Sequence, residues 1–134
     1  MKYQAYIPTE AEEQTRLVQY LRFKKIPHFA IPNGGSRNKI EGKNLKAQGV
    51  VAGVPDMMIP VANKKYHGLF IELKRKKGGV LSERQKRFID YLDYAGYKTA
   101  VAKGSEEAKH IIENYLSDEL SSKHKELFKN VLKG

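Results

Sequence analysis

The chain of 134 residues contains no cysteine. This absence excludes disulfide bonds and zinc sites built from thiolates. Four histidines are present, but none is spaced as H-x-H or H-x-x-x-H from another, so they do not predict a metal cluster. They are His28, His67, His110 and His124.

Long apolar runs are also missing. No stretch approaches the ~20 apolar residues of a membrane span, and the N-terminus has no signal-peptide core. The sequence contains no phosphate loop, no dinucleotide fingerprint and no internal repeat. We therefore expect a soluble cytoplasmic protein with no membrane partner and no small-molecule cofactor.

Positive charge is abundant, with 25 Lys and Arg against 15 Asp and Glu. A strongly basic surface favours a polyanionic partner. A solvated surface would explain any one basic cluster, but several flank the stretch from residue 55 to residue 74, and together they predict a nucleic acid partner. The predicted contact residues are Asn33, Arg37, Lys39, Lys43, Lys46, Arg75, Lys76 and Lys77.

Apolar periodicity predicts one α/β domain. The predicted order is a helix from Thr9 to Lys25, a strand over 27–32, a helical turn over 41–49, strands over 57–61 and 69–74, a helix from Ser82 to Ala95, a strand over 97–102 and two further helices. The middle strands form a hairpin, and the last strand returns parallel after the long helix. Residues 1–116 form the predicted domain, and residues 117–134 form an amphipathic helix for packing or dimerisation.

The residues from Asp56 to Lys74 carry the predicted chemistry. Alternation along a strand places Glu72 and Lys74 on one face, and a hairpin around 62–68 would bring Asp56 beside them. Two carboxylates with a neighbouring lysine suit a Mg²⁺ ion and phosphodiester hydrolysis. The alternative is that Glu72 and Lys74 form an ordinary ion pair at a strand end and that Asp56 follows a turn.

Three further polar residues face the core side of their helices. Glu13 and Glu10 lie one and two turns before Leu17, so either acid could serve the site as an outer or third acidic group. Alternatively, both acids lie there only because negative charge stabilises the positive N-terminal end of their own helix. Gln85 completes a capping box with Ser82, and it serves the cap, the site or both.

Several motifs together resemble the VRR-NUC domain of the PD-(D/E)xK nuclease superfamily. They are Asn33-Gly34-Gly35, Lys46-Ala47-x-Gly49-Val50, Gly53-Val54-Pro55-Asp56, Gly68-Leu69-x-Ile71-Glu72-Leu73-Lys74, Leu81-Ser82-x-x-Gln85 and Gly96-Tyr97. The resemblance covers roughly residues 10–116. It implies a restriction-endonuclease-like αβββαβ core with a mixed central sheet, flanking helices and an extra C-terminal helix.

The resemblance also implies DNA cleavage that depends on Mg²⁺, with Mn²⁺ as a substitute. Asp56, Glu72 and the Leu73 carbonyl would be metal ligands and Lys74 the catalytic base, and it favours Glu13 and Gln85 as further active-site residues. Small stand-alone members resemble phage-type or prophage-type junction resolvases, which suggests a homodimer acting on branched DNA such as Holliday junctions. The rival functions are a non-catalytic nucleic-acid-binding module and a nuclease for single strands, flaps or RNA.

Overall fold

The computed structural model describes residues 5–32, 39–117 and 120–134, without the side chains of residues 39–41. Within these ranges the chain forms five helices and four strands. Their bounds are α1 (Glu10–Lys24), β1 (Phe29–Ala30), α2 (Lys39–Ala47), β2 (Met57–Ile59), β3 (Leu69–Lys74), α3 (Glu83–Tyr94), β4 (Lys98–Lys103), α4 (Ser105–Leu116) and α5 (Ser122–Val131). None of these helices is long and apolar enough to cross a membrane.

The four strands form one mixed sheet in the order β1-β2-β3-β4. The first three strands pair antiparallel, and β4 pairs parallel to β3 after the crossover through α3. The predicted mixed α/β fold is therefore confirmed. Two strands are shorter than predicted: β1 has only two residues, and β2 ends at Ile59 because Pro60 has no N–H to continue the ladder.

The two faces of β3 have different surroundings, as its alternation predicts. Leu69, Ile71 and Leu73 are buried among apolar residues of α1 and α4. Glu72 and Lys74 lie on the opposite face, where both contact Gln85 in the first turn of α3. The sheet therefore separates an apolar core from a polar layer at one end of β3.

Side chains cap the starts of α1 and α3, and the cap of α3 is the predicted one. The Thr9 side chain accepts the Glu12 N–H at the start of α1. Ser82 and Gln85 form a complete capping box at the start of α3. By contrast, α4 begins after Gly104, which has no side chain for capping.

The C-terminal helix α5 makes a ring contact with His28, which directly precedes β1. The Phe128 ring packs against the His28 ring with 5.3 Å between centroids. Leu127, Val131 and Leu132 remain exposed. This helix therefore half-buries one aromatic residue and leaves three apolar side chains exposed among the described residues.

Gly53 lies where the loop before β2 touches α3. Its φ is +95°, and a Cβ there would come within 2.9 Å of the backbone carbon and oxygen of Arg84. The missing side chain lets this loop pack directly on the first turn of α3. Asp56 follows three residues later, so this contact holds the chain close to α3 just before Asp56.

We predict that Gly53→Ala destabilises the protein more than Gly49→Ala. Gly49 also has a positive φ, of +99°, but no described atom lies within 4 Å of its Cβ position. Gly49→Ala should therefore cost only backbone strain, about 1–2 kcal/mol, whereas overpacking against Arg84 should add at least about 1 kcal/mol at Gly53. Urea unfolding measures both free energies, and equal losses would contradict the proposed close contact.

Candidate active site

Asp56 lies where β2 and β3 separate. Their backbone pairing ends at Met57 and Ile71, so Leu73 has no strand partner on that side. The Asp56 carboxylate takes this place, because its Oδ2 accepts the Leu73 N–H at 2.7 Å. The Asp56 carbonyl oxygen also accepts the Ile31 N–H at 2.8 Å. Asp56 is thus held between two strands.

Glu72 and Lys74 form a buried pair bridged by Gln85. Their relative exposures are 3% and 8%, and Lys74 Nζ lies 3.7 Å from Glu72 Oε1. Gln85 Nε2 donates to Glu72 Oε1 at 3.1 Å, and Gln85 Oε1 accepts from Lys74 Nζ at 3.1 Å. The same Gln85 oxygen accepts the Ser82 N–H at 2.9 Å. Gln85 therefore caps α3 and also orients both charged side chains.

The environment of Glu72 disfavours its negative charge. Burial, followed by the nearby charge of Asp56, raises the pKa of Glu72 from 4.5 to about 8, although Lys74 acts in the opposite direction. Glu72 Oε2 is buried and has no hydrogen-bond partner among the described residues. Two close carboxylates with an unused buried oxygen require either a shared proton or a cation.

These residues fit a hard divalent cation. No group of three or more His, Cys, Asp and Glu side chains forms a metal cluster within the described ranges, so the available donors are two carboxylates and backbone oxygen. The N–H and C=O of one strand residue point to the same edge, which directs the Leu73 carbonyl toward Asp56. Mg²⁺ uses one or two carboxylates and several waters, and this donor set is sufficient for it.

Glu13 and Glu10 have different surroundings. Glu13 is fully buried, and its Oε1 accepts from the Ser105 hydroxyl at 3.2 Å. A Cβ on Gly104 would come within 2.5 Å of Glu13 Oε2, so this carboxylate lies at the positive N-terminal end of α4. Glu10 is exposed, and its charge contributes to raising the Glu72 pKa.

The structure thus gives Glu13 a structural partner and gives Glu10 electrostatic influence on the site. A catalytic role for Glu13 stays a prediction. The sequence pattern does not indicate Ser105 as the partner of Glu13. The one local sign is Gly104, because a helix that starts after glycine has no capping side chain of its own.

The predicted nucleic-acid contacts are only partly described. Arg75, Lys76 and Lys77 are exposed directly after Lys74, and Lys43 and Lys46 are exposed on α2. Asn33, Arg37 and the glycine turn lie outside the described residues, as does the Lys39 side chain. Exposed positive charge therefore follows the buried Lys74 directly along the chain.

Comparisons with known proteins agree with the mixed α/β fold. The family model described as "VRR-NUC domain" matches residues 3–106. A solved structure titled "VRR_NUC domain protein" is similar with a TM-score of 0.70 and 29% sequence identity, covering 84% of this chain and 91% of its own. No curated protein matches the chain.

We predict that the free energy of unfolding falls between about pH 5 and pH 8 when no divalent metal is present. A raised folded-state pKa means that the folded protein keeps a proton on Glu72 that the unfolded chain has lost. The stabilisation is complete below the unfolded pKa of 4.5 and is lost as pH rises through about 8. Urea unfolding at several pH values in EDTA measures this slope.

Glu72→Gln should remove this part of the pH dependence, because its amide does not titrate. Glu83→Gln, which changes an exposed acid of α3, is the matched control and should retain the wild-type slope. Identical slopes for wild-type and Glu72→Gln would show that the buried carboxyl does not hold a proton.

Proposed function

Because the chain belongs to the VRR-NUC domain family, which is of nuclease type, we propose that it is a Mg²⁺-dependent DNA endonuclease. Its proposed reaction is hydrolysis of phosphodiester bonds in branched DNA such as Holliday junctions. The observation that carries this proposal is the convergence of Asp56, Glu72 and Lys74 at one end of β3.

Asp56, Glu72 and the Leu73 carbonyl would hold the metal. A bound Mg²⁺ or Mn²⁺ ion polarises a phosphate and lowers the pKa of its water. Lys74 is positioned by Gln85 and Glu72 to orient the attacking water, to help remove its proton and to offset charge on the phosphate. The restricted position of Nζ supports this role, because proton transfer requires a group within hydrogen-bond reach.

Exposed basic residues support DNA binding without sequence recognition. Arg75, Lys76 and Lys77 follow the buried Lys74 directly, and Lys43 and Lys46 project from α2. Contacts of this kind position a protein on phosphates but do not read base edges. We therefore infer selection by DNA structure rather than by a recognition sequence.

An exposed apolar surface supports dimerisation. Leu127, Val131 and Leu132 are exposed on and after α5, and Phe29 is exposed on the edge strand β1. Two symmetric cuts in a junction require two active sites, which a twofold dimer supplies. The proposed dimer contact is therefore α5 and the neighbouring sheet edge.

We predict that Lys74→Ala lowers the cleavage rate at least about 100-fold and leaves DNA binding close to wild-type. Asp56→Asn and Glu72→Gln should lose cleavage in the same way, because each removes a charge from the metal ligands. Labelled four-way junction, flap, hairpin and RNA substrates are incubated with Mg²⁺ or with EDTA. Lys64→Ala, an exposed lysine in the loop between β2 and β3, is the control and should cleave normally.

The same assay separates the competing functions and the two acids of α1. Cleavage of RNA or flaps in preference to junctions would replace the proposed substrate. Unchanged cleavage by Lys74→Ala would contradict the role of Lys74, and DNA binding by wild-type protein without Mg²⁺-dependent cleavage would leave only a DNA-binding module. Glu10→Gln should cause little loss of stability, since Glu10 is exposed. It should slow cleavage, because the negative charge that acts on Glu72 would also attract the metal ion. Glu13→Gln should lower the free energy of unfolding, because it weakens the contact with α4.

We predict a dimer by light scattering at micromolar concentrations and a monomer for Leu127→Asp. The introduced charge would be buried without a partner in the dimer, while the exposed position of Leu127 should leave the folded monomer intact. Glu126→Gln on the same helix is the control and should remain dimeric. A monomeric wild-type protein would contradict the dimer proposal.

A further inference from the structure

A groove of about 680 Å³ lies between α2, the loop 50–52 and α3. One wall is a single stripe of α3, formed by Arg84, Arg87, Phe88 and Tyr91. These positions are spaced i, i+3, i+4 and i+7, so their side chains share one helix face. The active site described above uses none of these four side chains.

The groove combines positive charge with an accessible aromatic ring. Lys46, Arg84 and Arg87 are exposed at its borders, and no acidic residue is found among its described lining residues. Tyr91 is 63% exposed and Val51 is 50% exposed. A flat apolar surface next to several cations complements an unpaired nucleotide, which presents a base face and a phosphate.

Two connections place the groove next to the active site. Arg84 directly precedes Gln85, whose amide contacts both Glu72 and Lys74. The loop that forms the opposite wall continues into Gly53, which packs on the Arg84 backbone, and then into Asp56. A DNA strand whose phosphate reaches Asp56 and Glu72 can therefore place a neighbouring nucleotide in this groove.

We propose that the groove binds an unpaired nucleotide of the DNA strand that the active site cuts. The base stacks on Tyr91, and Arg84 and Arg87 contact the adjacent phosphates. A paired base cannot offer its face to Tyr91, because its neighbours in the duplex cover it. This inference rests on the proposed nuclease function and deepens it: among branched DNAs, those with an unpaired nucleotide next to the cut should be preferred to fully paired four-way junctions.

The test compares binding to two duplexes of the same sequence. One contains a single unpaired 2-aminopurine nucleotide, and in the other this nucleotide is paired. Ca²⁺ replaces Mg²⁺ to limit cleavage, and binding is followed by anisotropy and by 2-aminopurine fluorescence. The proteins are wild-type, Tyr91→Ala and the control Tyr94→Ala, which changes another tyrosine of α3 that is 89% exposed and outside the groove.

Wild-type protein should bind the unpaired duplex about tenfold more tightly than the paired one and should quench its fluorescence. Tyr91→Ala should lose this preference and the quenching while binding the paired duplex normally. Tyr94→Ala should behave as wild-type. Circular dichroism confirms that both variants fold, which their exposed positions favour.

The inference is overturned if wild-type protein shows no preference, or if Tyr91→Ala keeps the preference or weakens binding to both duplexes equally.

Failure of this inference can be distinguished from failure of the proposed function. Cleavage in Mg²⁺ without any dependence on Tyr91 would remove the groove proposal alone. A preference that depends on Tyr91, in a protein that cleaves no DNA, would support the groove and remove the nuclease.

Discussion

The hydrogen bond from the Leu73 N–H to the Asp56 carboxylate is the interaction on which the site depends. At this point the ladder between β2 and β3 has ended, and a side chain satisfies a backbone donor that a strand would otherwise satisfy. One carboxylate oxygen is used in this way at 2.7 Å. The bond fixes Asp56 against the edge of β3, where the Glu72 carboxylate is already confined by burial.

The resulting site is electrostatically incomplete without a proton or a cation. Two carboxylates lie close together, and the pKa of Glu72 is raised to about 8 mainly by burial. Lys74 and Gln85 satisfy one oxygen of Glu72 but leave Oε2 without a described partner. Such an arrangement lowers stability as pH rises, and a divalent ion would relieve the repulsion that causes this loss.

The first turn of α3 connects folding with the proposed chemistry. Gln85 contributes to the capping box through the same oxygen that accepts from Lys74, so the helix start cannot shift without moving the lysine. The Gly53 contact holds the loop of Asp56 against this turn. One short segment thereby positions two sides of the site, and its outer face also lines the neighbouring groove.

Local sequence patterns determined the order of the elements, the capping of α3, and the shared face of Glu72 and Lys74. These features depend on neighbours within a few residues, so periodicity and capping chemistry can predict them. Only the tertiary structure decided that Glu13 faces the start of α4, that Glu10 influences Glu72 and that Arg84, Arg87 and Tyr91 border a groove. Each of these outcomes depends on how elements that are far apart in the sequence pack against one another. Local sequence patterns contain no information about that packing.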